Sequence, residues 1–321
     1  MGIMLGLLQA RSLTTAAELG IADALAAGPL SLEDLAVRTQ ADSTNLFRLL
    51  RALETLGIFR QVSPGMFANT PLSNYLRRDV PGSQWAFVHL SAAGFGLWDG
   101  YTGMLDTLRT GKTALLERWG YDIWEHFRRH PDKAEIFNEA MRAVSLTLTP
   151  AVTAAYDWSR FPVIADIGGG IGMQLVDILE AYPGCRGVLF DQPGVVAGGI
   201  PHPRVERVAG NFFERIPVEA DAYLLRHIIH DWSDTDALRI LGTLRRAARL
   251  SARVMIIEWL VPDTPEFNFG KWSDLGMMVA LGGRERTKAE FECLFRESGF
   301  ELEEIVPAAS TFSIIVGRPR S

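Results

Sequence analysis

The sequence predicts an α/β chain in two parts. A helical region with the outline of a winged helix occupies residues 1–90, and a doubly wound parallel sheet with helices on its faces occupies residues 91–321. Three observations predict this. After Val163 the short apolar runs VIADIG, RGVLFDQ, AYLLRHI and RVMIIEWLV alternate with polar or helical stretches, the rhythm of a parallel sheet. The first run leads straight into glycines, in VIADIGGGIGMQLVDIL, where a strand turns into a helix. The first third reads helix, helix, helix, hairpin.

Taken in order, residues Leu5 to Ala27 place leucine, isoleucine and alanine at helical spacing. SLEDLAVRTQ follows, with Ser31 as N-cap and Glu33 and Asp34 in the first turn. STNLFRLLRALETLGIFRQ sets Leu46, Leu49, Leu50 and Leu53 on one face. GIFRQVSPGMFANT alternates about a Pro-Gly turn, a small hairpin. The region from Leu90 to Tyr156 is helical again and carries Phe95, Trp98, Tyr101, Trp119, Tyr121, Trp124, Phe127 and Phe137, residues for a core or for the walls of an apolar pocket. TFSIIVGRP closes the chain as a further strand.

Composition narrows the function. Of 321 residues, 48% are apolar and 22% charged, as in ordinary globular proteins. The net charge of −6 and a third helix carrying only Arg48 and Arg51 weigh against nucleic acid, whose phosphates want a basic face. Cys185 and Cys293 are the only cysteines. They form neither a zinc ribbon nor a disulfide framework and suit a reducing compartment. MGIMLGLLQAR has no basic segment ahead of its apolar residues and does not read as a signal peptide. No apolar run reaches membrane-spanning length. A cytoplasmic protein without a metal is expected.

The glycines fall in the pattern D-x-G-G-G-x-G from Asp166 to Gly172. This is neither the dinucleotide fingerprint nor a Walker loop, which ends in Gly-Lys-Ser/Thr. A tight strand-to-helix turn alone could use such glycines. The second run adds Asp191 at its end, where a carboxylate can accept from both hydroxyls of a ribose. An adenosyl ligand carrying a sulfonium and an amino acid fits such a pair.

The motifs D-I-G-G-G-I-G, L-F-D-Q-P, G-N-F-F-E-x-x-P, H-D-W-S-D and G-G-R-E-R-T occur in that order. Together they resemble the S-adenosylmethionine-dependent small-molecule O-methyltransferases, of the plant caffeic acid and flavonoid type and the bacterial antibiotic-tailoring type. The resemblance covers nearly the whole chain. It implies a Rossmann-like class I methyltransferase domain, with a helical substrate-pocket segment over 91–156, and an N-terminal winged-helix domain that makes a homodimer.

The resemblance also implies site residues. Asp166, Gly168 and Gly170 would lie along the methionine part of S-adenosylmethionine, and Asp191 would hold the ribose. Asn211, where the family usually has Asp, and Phe212 would meet the adenine. Arg226 would contact the cofactor, and Trp232 would pack on the adenine or serve as plain core. His230 would be the general base, an imidazole that takes the hydroxyl proton as the oxygen attacks. Glu258 and Glu285 would orient it. Asp231 is a rival partner, set aside because neighbours on extended chain point to opposite sides. His227 is given no role. Phe137, Met141, Met277 and Met278 would line the substrate pocket or simply fill the core.

The expected reaction is therefore methylation of a hydroxyl on a small, aromatic or polyketide-type metabolite, giving a methyl ether and S-adenosylhomocysteine. An enzyme of the same fold using the cofactor for hydroxylation, decarboxylation or cyclisation is the nearer alternative. A winged-helix regulator on DNA is the remote one.

Overall fold

The computed structural model describes residues 2–92, 97–308 and 312–321; Phe95 lies outside them. By backbone contacts the chain divides into two units, Met1–Thr102 with Trp119–Val144, and Gly103–Arg118 with Ser145–Ser321. The helical segment 91–156 is shared between them.

The first unit has the expected winged-helix outline. Helices Gly2–Glu18, Ile21–Ala24, Leu32–Thr39 and Ser43–Glu54 precede strands β2 (Phe59–Ser63) and β3 (Met66–Asn69), and a two-residue strand β1 (Leu30–Ser31) pairs with β3. The single helix expected over Leu5–Ala27 is in fact two. Gly20 takes φ 66 between them, a left-handed angle that stops a helix. Ser31 caps its helix as read, its hydroxyl accepting from the Asp34 N–H at 3.0 Å, and Asp42 caps the next through Asn45 at 2.9 Å. Each satisfies an amide that the helix start leaves orphaned. Leu46, Leu50 and Leu53 turn inward onto Leu35, Phe59 and Phe67.

The second unit is built on strands β4 (Val163–Ile167), β5 (Arg186–Asp191), β6 (Val205–Ala209), β7 (Ala222–Arg226), β8 (Arg253–Val261), β9 (Arg286–Thr287), β10 (Phe300–Pro307) and β11 (Phe312–Pro319). Their order is β10-β11-β8-β7-β4-β5-β6, with β9 beside the end of β8. Strands β4 to β8 pair in parallel, while β11 runs antiparallel to both β8 and β10. Side chains alternate across this sheet. Ala165, Ile167, Tyr223, Leu225, Val254 and Ile256 face one core layer. Ile164, Ala222, Leu224, Met255 and Ile257 face the other.

The chain folds back at β4, which lies between β5 and β7, so the segments leaving these three strands converge at their carboxyl ends. That is where ligands bind in open α/β sheets. No helix among the described residues is long and apolar enough to cross a membrane.

Leu224 is fully buried at the centre of this sheet. Leu224→Ala should lower the unfolding free energy by about 2–5 kcal/mol, measured by urea denaturation followed by far-ultraviolet circular dichroism.

Candidate active site

The glycine loop leaves β4 and starts the helix Met173–Ala181. Gly168, Gly170 and Gly172 all take positive φ, at 69, 61 and 83°, angles L side chains rarely adopt. Gly169 is excluded for another reason: a Cβ there would sit 2.5 Å from Cγ of Asp166 and 2.7 Å from Cδ1 of Leu189. Asp166 is buried beneath the loop. Its Oδ1 has no hydrogen-bond partner among the described residues. Burial pushes its pKa up to about 7 although Arg226 opposes the rise.

The alternation that sorts the core also sorts the site. Asp166, Asp191 and Arg226 continue the face of Ile164, Leu189 and Leu224, whereas Glu258 continues the face of Val254 and Ile256. Arg226 donates from Nη1 to the Thr149 hydroxyl at 2.8 Å. Its buried Nε and Nη2 have no partner among the described residues, and burial lowers its pKa to about 10. Opposite charges with orphaned polar atoms thus lie beside a side-chain-free loop, an arrangement that suits the ammonium and carboxylate of an amino acid.

Asp191 accepts from the Gly170 N–H at 2.8 Å and from the Gln192 N–H at 2.6 Å. Burial raises its pKa against these two bonds. Asn211 is occupied locally, its Oδ1 accepting from the Phe213 N–H and its Nδ2 donating to Glu214, each at 3.0 Å. Trp232 meets Phe213 edge-on at 4.7 Å and Phe212 at 6.1 Å between ring centroids, and Phe212 approaches the Gly168 Cβ position.

The second cluster differs from the sequence expectation in one respect. His230 does not end a strand. Strand β7 stops at Arg226, His227 takes φ 54, and Ile229–Asp231 form one turn of 3-10 helix. The premise that set Asp231 aside therefore fails. In a turn rather than extended chain, its Oδ1 comes within 3.4 Å of His230 Nε2.

The two glutamates act differently. Glu285 Oε1 lies 2.8 Å from His230 Nδ1. Glu258 Oε1 accepts from the backbone N–H of His230 at 2.9 Å, so it fixes the turn rather than the ring. Burial disfavours an imidazolium at His230, but the charge of Asp231, the bond and charge of Glu285 and the charge of Glu258 outweigh it, and the pKa rises to about 10. Burial in turn lifts Asp231 to about 6 and Glu258 to about 7, against the opposite charge of His230. One positive charge is held among three carboxylates.

Sequence reasoning missed four participants. Ser273 donates its hydroxyl to Glu285 Oε1 at 2.8 Å, and Asp274 accepts the Glu285 N–H at 2.9 Å. Both lie on the helix Phe269–Ala280, on whose other turns sit the half-buried Met277 and Met278. His227 sits among His230, Trp259 and Phe312, with ring centroids 4.9–5.1 Å away. Burial, with the charges of His230 and Arg226, holds its pKa well below the ordinary value. No spacing in the sequence marks Ser273, Asp274 or Trp259. His227, the first histidine of R-H-I-I-H, was visible in the sequence but carried no chemistry of its own. Phe137 and Met141 belong to the first unit, beside Ala140 and Trp85.

Comparison with known proteins decides the family. An O-methyltransferase domain matches residues 101–301, and an O-methyltransferase dimerisation domain matches residues 1–79. The chain belongs to the O-methyltransferase family. Phenazine O-methyltransferase PhzM of Lysobacter antibioticus is 39% identical over 318 residues, covering 96% of this chain and 92% of that protein. The crystal structure of LaPhzM superposes with a TM-score of 0.94 at 38% identity, over 99% of this chain and 97% of that one. CalO1, a methyltransferase of calicheamicin biosynthesis solved with S-adenosylhomocysteine bound, gives 0.85 at 32% identity, over 99% and 96%. This O-methyltransferase is S-adenosylmethionine-dependent, adopts the class I methyltransferase fold and is of the small-molecule, secondary-metabolite type.

Gly169→Ala should force the loop off Asp166 and Leu189. The Kd for S-adenosylhomocysteine by isothermal titration calorimetry should rise at least about tenfold, the equivalent of about 1.4 kcal/mol.

Proposed function

We propose that this enzyme methylates a hydroxyl on an aromatic small molecule, with His230 as general base. The supporting observation is the His230–Glu285 pair. With Nδ1 donating to Glu285, the neutral ring carries its lone pair on Nε2, the nitrogen left to receive a substrate proton. The neighbouring carboxylates raise the basicity of the imidazole above its ordinary value, toward that of a phenolate, whose phenol titrates near 10. The proton then moves at little cost as the oxygen becomes nucleophilic. Glu285 holds the tautomer, Glu258 the backbone of the turn, and Asp231 stabilises the cation that forms.

Asp166 and Arg226 would take the ammonium and carboxylate of S-adenosylmethionine, and Asp191 its ribose. Gly168 and Gly170 give it room, with Asn211, Phe212 and Trp232 on the adenine side. When bound, the cofactor supplies a methyl group made electrophilic by its sulfonium. The chain's remaining task is alignment of oxygen, methyl carbon and sulfur. Met277 and Met278 would supply apolar, adaptable contacts for the acceptor. No residue of this scheme calls for a metal.

We propose further that the enzyme is a cytoplasmic homodimer. Its N-terminal helix exposes Ile3, Met4, Leu5, Leu7 and Leu8, an apolar row that a second copy can cover, in the stretch matched as a dimerisation domain. A winged-helix regulator finds no support here, since Arg48 bonds its own helix at Asn45 and Arg51 lies over Phe47.

His230→Ala should lower kcat for labelled-methyl transfer to phenolic acceptors by about 10²–10⁴-fold, with S-adenosylhomocysteine affinity unchanged. Equal transfer by both proteins would overturn the base; cofactor binding without transfer to any acceptor would favour the non-methylating alternative.

Activity should rise with pH as His230 loses its proton. Glu285→Gln removes a charge that favours the imidazolium, so a pH–rate profile should show the limb displaced to lower pH and a lower plateau.

Analytical ultracentrifugation should show a dimer for the parent and a monomer for Leu7→Glu/Leu8→Glu.

A further inference from the structure

The base is positioned by a strip of chain that bonds the turn on which it stands. Residues Gly283 to Arg286 lie against residues Ile229 to Trp232. Gly283 approaches so closely that a Cβ there would fall 2.0 Å from the His230 carbonyl oxygen. The Arg284 N–H donates to that same carbonyl at 2.9 Å. Glu285 takes the His230 ring. Arg286 completes the strip.

Its guanidinium is 1% exposed. Nη1 donates to the Ile229 carbonyl and Nη2 to the Trp232 carbonyl, each at 3.1 Å. Nε and Nη2 also donate to Asp234 Oδ1, at 3.0 and 2.8 Å. The two carbonyls flank His230 and Asp231 on either side. A planar fork of fixed geometry therefore spans the turn from its first residue to the residue just beyond it. The same charge favours the ionised form of Glu258, which holds the His230 N–H. Arg286 thus secures the turn by direct bonds and through Glu258.

We propose that Arg286 is a positioning residue for the base, acting on methyl transfer through His230. The inference rests on His230 being the base. Arg286→Lys keeps the charge but cannot hold Ile229, Trp232 and Asp234 in one plane. A misplacement of about 1 Å can cost about 10²-fold in rate.

The test is a double-mutant cycle on the full-length enzyme, with single-turnover transfer of labelled methyl to a phenolic acceptor and calorimetric binding of S-adenosylhomocysteine. Arg286→Lys should lower the rate by about 10–10²-fold with cofactor affinity and KM for S-adenosylmethionine within about threefold. In the His230→Ala background the same substitution should change the rate less than about twofold, because residues acting as one unit are not additive.

Equal losses in both backgrounds, or no loss in the parent, would overturn the proposal. If His230→Ala alone keeps the parental rate, it is the base assignment that falls, and the single mutant says so without the cycle. Should Arg286→Lys fail to fold, Asp234→Asn loosens the same guanidinium from its more exposed side. It should give a smaller loss that likewise vanishes without His230, and a loss that persists there would count against the proposal.

Discussion

The hydrogen bond between His230 and Glu285 is the contact on which the rest of the site depends. It joins residues 55 positions apart and requires two loops to meet in a buried place. Each loop is committed to the meeting by its own backbone. The His230 turn gives its N–H to Glu258 and its carbonyl to Arg284; the Glu285 strip gives its N–H to Asp274. A buried ion pair of this kind is costly to bring out of water and is kept only where surrounding groups complete its bonding. Here Ser273, Asp274 and Glu258 supply the surrounding bonds, while Glu285 Oε2 has no partner among the described residues.

The sheet separates two chemistries by the simplest means it has. Successive residues on a strand face opposite ways, so residues that suit the cofactor (Asp166, Asp191 and Arg226) fall on one side and Glu258 on the other. Burial then tunes each group. Asp166, without a hydrogen bond to one oxygen, titrates near neutrality, while His230 among carboxylates titrates far above it. Two groups with ordinary pKa values of about 4 and 6.5 thereby both rise and keep their order, and the environment alone is responsible.

Much of this was legible in the sequence where a local rule operates. The helix cap at Ser31, the Pro-Gly hairpin and the four apolar strands all follow from near-neighbour chemistry. Strands β6 and β10 were not read because their residues, VERVA and FELEEIVP, carry charges at positions open to water, as edge strands commonly do. The five motifs carry most residues of the two clusters, but not their local geometry. That His230 stands on a 3-10 turn depends on His227 adopting a left-handed angle, which nothing in R-H-I-I-H announces. Ser273 and Asp274 act only because a helix packs near a strip from farther along the chain, a tertiary fact without a sequence signature.

The turn after β7 has a consequence for how such a chain can vary. Arg226 belongs to the cluster beside the glycine loop and His230 to the cluster of carboxylates, and three residues of backbone join them. The span between the two clusters is thus set by covalent length, like the gap in a caliper. One residue added or lost between them would pull Ile229 out of its core layer and change the separation of the two clusters.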